Sequence, residues 1–120
     1  MTAFEAEARK TWGQTQAYKE YEKKQYSQQQ QDDLAAGMDR RMAAFAHCMK
    51  EGNAPDSSQA QSLVSALQDD ITQHYYRCTK EILAGLGQMY VADQRFQTNI
   101  DKHAAGTAAF IREAIAIYCR

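Results

Sequence analysis

No leucine, isoleucine or valine occurs before Leu34 in this chain of 120 residues. Aliphatic burial is what offsets the ordering entropy of a fold, so any hydrophobic core has to be built from Leu34 onward. The same opening segment holds five of the twelve aromatic residues: Phe4, Trp12 (the only tryptophan), Tyr18, Tyr21 and Tyr26. They stand among Lys, Glu and Gln, as flat rings with polar tips that grip a partner at low rotamer cost. Residues 1–33 are therefore expected to form a mobile aromatic flap, ordering fully only over the rest of the domain, a ligand, or both. Residues 34–120 are expected to form the scaffold.

Helical periodicity governs the scaffold. Ser27 followed by Gln30 reads as a capping box, and the stripe Leu34, Met38, Met42, Phe45, Met49 advances by three or four residues at a time. Gly52 and Asn53 end that helix, and Pro55 bars its continuation. Asp56 and Gln59 read as a second capping box ahead of Leu63, Val64, Leu67 and Ile71. The stretch His74–Cys78 is either a kink or a helix junction. From Thr79 the pattern Ile82, Leu83, Leu86, Met89, Tyr90 predicts another helix, and Asp93 caps a short one carrying Phe96 and Ile100. Gly106 or Thr107 opens the last, with Ala108, Ile111, Ile115 and Tyr118 on one side. Strand-like alternation is missing, so the class is all-α, a single domain of about five or six helices.

Composition excludes several functions. Hydrophobic residues at 44% and charged residues at 24% are ordinary for a globular chain. A formal net charge of −1 gives no electrostatic case for nucleic acid as a direct partner. The apolar stretches are too short for a membrane span or signal peptide. Cys48, Cys78 and Cys119, odd in number and widely spaced, suit a reducing cytoplasm.

The residues that carry chemistry are few. His74 and Cys78 would share a helix face as half of a metal site, but a second pair is not near in sequence. Glu-x-x-His pairs, a Gly-rich phosphate loop and a nucleophile elbow are all lacking, so neither an enzyme nor a metal or cofactor protein is expected. Asp69 and Asp70 read as a solvated helix face, Asp93 as a cap, and Asp101 as an ion-pair partner for Arg95 or Lys102. Met38, Met42, Met49 and Met89 suit either a core or an adaptable ligand lining. Tyr75 and Tyr76 are adjacent, so one can pack while the other faces a cleft. Gly85 and Gly87 allow either close helix packing or room for a ligand against bare backbone.

Three blocks go further. Trp12-Gly13-Gln14-Thr15-Gln16-Ala17-Tyr18, preceded by Glu7, lies in the flap. Leu86-Gly87-Gln88-Met89-Tyr90-Val91-Ala92-Asp93-Gln94-Arg95-Phe96, followed by Asn99-Ile100-Asp101, lies in the second half. The last is Gly106-Thr107-Ala108-Ala109-Phe110-Ile111-Arg112-Glu113-Ala114-Ile115. In this order and separation they resemble the TipAS domain, the antibiotic-recognition half of the thiostrepton-induced, MerR-type transcription activators. The resemblance covers the chain from Glu7 onward.

It implies a globin-like helical fold without haem, whose N-terminal part is mobile when empty and closes over bound antibiotic. Ligands of the family include thiopeptides and other bulky, largely apolar heterocycles. Full-length members add a winged helix-turn-helix domain and a coiled coil. Neither is expected in this chain, so DNA would be reached only through a domain it lacks. Such a chain is either an excised effector domain or a short form that sequesters drug. Gly85 stands where thiostrepton-responsive relatives carry a reactive cysteine before the Leu-Gly pair, and Cys78 matches the family's other cysteine. Reversible binding without an adduct at that place follows. Ala105 replaces the usual proline, so the last loop is expected to be less rigid.

The expected ligand site is a cleft formed by Phe45, Met49, Tyr75, Tyr76, Cys78, Gly85, Met89 and Tyr90, with Trp12, Tyr18 and Tyr21 closing over it. Rival readings are a helical protein-interaction module with an aromatic docking arm, and an enzyme or metal protein built around His74 and Cys78.

Overall fold

Ser27 sets the start of the first helix. Its hydroxyl oxygen accepts from the Gln30 N–H at 3.2 Å, and the Gln30 side chain accepts from the Ser27 N–H at 2.9 Å. This is the reciprocal box the sequence implies. Helix α1 spans Gln28–Lys50, and its glutamine run is an exposed first turn whose Gln28 and Gln29 donate to Asp32 and Asp33. Met42, Phe45, Ala46 and Cys48 are its buried face. Gly52 reverses the chain at φ +87°, a left-handed conformation that side-chain-bearing residues resist. Asn53 then donates to the Cys48 carbonyl through both backbone and side chain. The computed structural model describes residues 24–120, so residues 1–23 of the expected flap, with Trp12, Tyr18 and Tyr21, lie outside the described residues, while residues 28–33, expected in the flap, are the opening of α1.

Helix α2, Ser58–His74, is capped by Ser57 and not by Asp56. The Ser57 N–H donates to the Ala54 carbonyl, closing a turn after which Ser57 is the extended residue that receives the Ala60 N–H at 3.2 Å. Ala60, Val64, Leu67 and Ile71 are buried.

The stretch after His74 is a junction. The N–H groups of Tyr75 and Tyr76 both donate to the Ile71 carbonyl, which ends the helix. Helix α3, Lys80–Ala92, restarts from Thr79, whose hydroxyl accepts from Ile82. Helix α4, Gln94–Asp101, starts from Asp93 as expected.

Helix α5, Thr107–Tyr118, begins after Gly106 at φ +89°, which offers no side-chain cap. Asp101 replaces it, accepting the Ala108 N–H at 2.8 Å. That corrects its expected role as an ion-pair partner: Arg95 pairs with Asp93, and Lys102 with Asp39 at 3.0 Å. The described residues are thus five helices with no strand.

Helix α5 is the central element, packed against all four others and most extensively against α3. Phe45, Val64, Leu67, Leu83, Ile111 and Ile115 close the core around it with at most 1% exposure. One of the two glycines left open above is settled here. A Cβ on Gly87 would lie 3.3 Å from Ile115 Cδ1, so Gly87 is what lets α3 and α5 approach.

Candidate functional site

The junction between α2 and α3 holds Tyr75, Tyr76 and Cys78, and α3 carries Gly85, Met89 and Tyr90. Two hydrogen bonds fix its path. The Cys78 N–H donates to the Thr72 hydroxyl at 3.1 Å, and the Gln68 side-chain amide donates to the Cys78 carbonyl at 2.9 Å. Gln68 also accepts from the Tyr118 hydroxyl at 2.7 Å, so one amide ties the junction to the end of α5. The Lys80 ammonium sits 5.5 Å from the centre of the Tyr118 ring, and the Cys119 thiol donates to the Lys80 carbonyl at 3.3 Å.

Within this frame Tyr76, Cys78 and Tyr90 are titratable groups whose ionisation burial opposes, with Tyr75 adding to the effect on both tyrosines. Burial pushes the Cys78 thiol up from an ordinary 9.0 to about 11, with Cys119 adding to the effect. Burial also holds the Tyr76 phenol far above its usual range, reinforced by Cys78, Tyr90 and Tyr75. Tyr90 is raised likewise, by burial first and then by Cys78 and Tyr75. All three groups are therefore neutral at physiological pH, and they offer hydrogen bonds without charge. The Tyr90 ring meets Phe96 with centroids 6.3 Å apart.

Tyr75, Tyr76 and Met89 are half-buried against the core. Gly85 is exposed, and a Cβ there would meet nothing within 4 Å, so α3 offers bare backbone at that point. Met49 is half-buried on α1, and Phe45, fully buried on the same helix, lies in the core beneath. Helix α1 packs on α2, α4 and α5, whereas α3 packs on α4 and α5. The α1 candidates and the α3 candidates thus share α4 and α5 as their common supports.

The His74–Cys78 half-site does not form on one helix, because α2 stops at His74 and Cys78 lies in the junction. His74 instead lies 3.7 Å from Asp70, which pairs with Arg41 Nε at 3.1 Å. Asp70 is therefore part of a charged cluster between α1 and α2; only Asp69 is the exposed face expected of the pair. Among the described residues no group of three or more His, Cys, Asp or Glu side chains is placed to hold a metal ion. No helix among them is long and apolar enough to cross a membrane.

Sequence reasoning missed Gln61 and Gln68. A signal was present: both sit seven apart beside the apolar stripe of α2, where polar residues need internal partners. Gln61 donates to the carbonyls of Pro55 and Ala114, much as Gln68 serves the junction.

Comparison with known proteins places this arrangement. The sequence profile of the TipAS antibiotic-recognition domain matches residues 4–118. The HTH-type transcriptional activator mta of Bacillus subtilis is 41% identical over 115 residues, covering 94% of this chain and 44% of that protein. The HTH-type transcriptional activator TipA of Streptomyces coelicolor is 36% identical over 117 residues, covering 93% and 45% respectively. The chain thus spans less than half the length of these activators.

Among solved structures, the TipAS–nosiheptide complex of a thiopeptide multidrug resistance system from Streptomyces lividans superposes with a TM-score of 0.83 at 32% identity, covering 97% of this chain and 82% of that one. The antibiotic binding domain of a TipA-class multidrug resistance transcriptional regulator gives 0.66 at 32% identity, over 72% and 92%. With a profile match running nearly end to end and an all-helical fold shared with the drug-bound relative, this chain belongs to the TipAS antibiotic-recognition domain family.

Proposed function

We propose that this chain is the cytoplasmic drug-sensing effector domain of a transcription regulator, reversibly binding thiopeptide-like or other bulky, largely apolar antibiotics. One observation carries the reading: the match over residues 4–118 includes the half-buried tyrosines of the α2–α3 junction, Met89 and the bare backbone at Gly85. Rings stacking on Tyr75 and Tyr76, with Met89 adapting to their shape, would supply affinity. Neutral phenol groups would fix orientation. Phe45, Met49 and Tyr90 would back this surface from the core, and Trp12, Tyr18 and Tyr21 would close over the bound compound. Ordering that cover consumes part of the binding energy, which couples occupancy to conformation. In a full-length regulator the change would pass to a separate DNA-binding domain.

Reversibility follows from the thiols. A buried Cys78 at about 11 is a thiol and not a thiolate at pH 7, hence a poor nucleophile. No catalytic residue, metal or cofactor enters this reading. The expected result is a melting temperature raised by nosiheptide, with about 2.7 kcal/mol of stabilisation at a hundredfold excess over the dissociation constant. An unchanged mass should accompany it. Gly85→Cys, for which the backbone has room, should convert binding into a stable adduct with a dehydroalanine-containing thiopeptide. No thermal shift with any thiopeptide or other planar apolar antibiotic would refute the reading.

A further inference from the structure

A cleft of about 480 Å³ lies between α1 and the end of α2, lined by Asp33, Leu34, Gly37, Arg40, Arg41, Ala44, Asp70 and His74. The α1 residues fall at spacings of one, three and four, so a single helix face looks into it. Glycine and alanine on that face give the cleft its depth, and its volume lies in the range of small-molecule sites. It adjoins the junction, because His74 is followed directly by Tyr75 and Tyr76.

The charges of the cleft identify what it can hold. Two arginines face two aspartates, so a bare anion meets the Asp33 and Asp70 carboxylates and a bare cation meets the guanidinium groups. Only a group offering donors and acceptors side by side suits both. Asp70 is the fixed point, with 18% side-chain exposure, Arg41 at 3.1 Å and the His74 ring at 3.7 Å. Arg41 contacts it through Nε, which leaves the two-pronged terminal edge for a second planar acceptor. Arg40 makes no ion pair or hydrogen bond among the described residues.

We propose that this cleft is a polar subsite for the amide edge of a peptide-like ligand, whose carbonyls accept from Arg40 and Arg41 and whose N–H groups donate to Asp70 and Asp33. The proposal rests on the drug-sensing reading above and adds to it a means of selection: the junction tyrosines take flat apolar rings, and the cleft takes the peptide portion. Affinity for a thiopeptide then depends on α1 residues that contribute nothing to the core.

Calorimetric titration of the whole chain with nosiheptide tests this on three variants. Gly37→Phe fills the cleft from a position where a Cβ meets only the end of Arg40, at 3.6 Å. It should weaken binding at least about tenfold, and Arg40→Gln and Arg41→Gln about tenfold each, the worth of one charge-assisted hydrogen bond. Asp69→Asn, exposed on α2 and outside the cleft, is the control and should keep both affinity and melting temperature. Wild-type binding with unchanged affinity in the three variants would overturn the subsite and leave the drug-sensing reading standing. A wild-type chain that binds neither nosiheptide nor other thiopeptides would overturn both. Loss of affinity only where melting temperature also falls by many degrees would make the cluster structural and would likewise overturn the subsite.

Discussion

Gly85 and Gly87 sit two positions apart on α3 with opposite surroundings, one facing open space and the other the Ile115 side chain at 3.3 Å. Replacing either with alanine removes the same backbone freedom, so the difference between the variants isolates packing. Gly85→Ala should gain about 0.5–1 kcal/mol, and Gly87→Ala should be about 1–3 kcal/mol less stable than Gly85→Ala, read from urea unfolding. Cys78 is the second informative residue. Its thiol ionises at about 11 in the fold and at 9.0 when exposed, so folding favours the protonated form. That contribution is complete below pH 9.0 and is lost as pH rises toward about 11, where Tyr76 and Tyr90 act in the same direction. Melting temperature should therefore fall across that window. Iodoacetamide at neutral pH should label Cys119, which is partly exposed, before the buried Cys48 and Cys78. Rapid labelling of Cys78 in the folded chain would contradict the environment described for it.

At the scale of elements, capping side chains decide where helices begin. Ser57→Ala should cost about 1 kcal/mol while Asp56→Ala is nearly neutral, as measured by thermal or urea unfolding. The reverse order would show that the cap is Asp56. Most of the elements were legible in the sequence because each helix carries a local signal. The Ser27–Gln30 box, the Gly52 reversal, the Thr79 and Asp93 caps and the apolar stripes all act within a few residues. The failures have one physical origin, since they concern bonds that span elements. Asp101 caps α5 from the end of α4, Asp70 is drawn into an ion pair by α1, and Gln68 holds the junction to Tyr118. A side chain's neighbours along the chain do not reveal such partners. Asp56 is an instance at shorter range, where two cap residues stood side by side and the turn from Ala54 selected Ser57.

At the scale of the whole molecule, the aliphatic residues that begin at Leu34 build the described core. The helices from α1 to α5 close a continuous core around Ile111 and Ile115, and among the described residues every buried member of it lies at or beyond Met42. The aromatic-rich opening segment up to residue 23 lies outside the described residues, and its rings are proposed to serve a ligand. The region proposed for the site was visible in the sequence because the Tyr75–Cys78 and Gly85–Tyr90 stretches stand out in composition. The charged cleft was not, because Arg41 and Asp70 are 29 positions apart in the sequence and look like ordinary surface residues there. The central claim is that this chain closes on an apolar antibiotic and releases it again. Trp12, the only tryptophan, reports on that directly. Its emission, titrated with nosiheptide and then followed through removal of the compound, should change saturably and return to its starting value. An emission that does not respond, or that stays altered after removal together with a mass increase, would contradict the account.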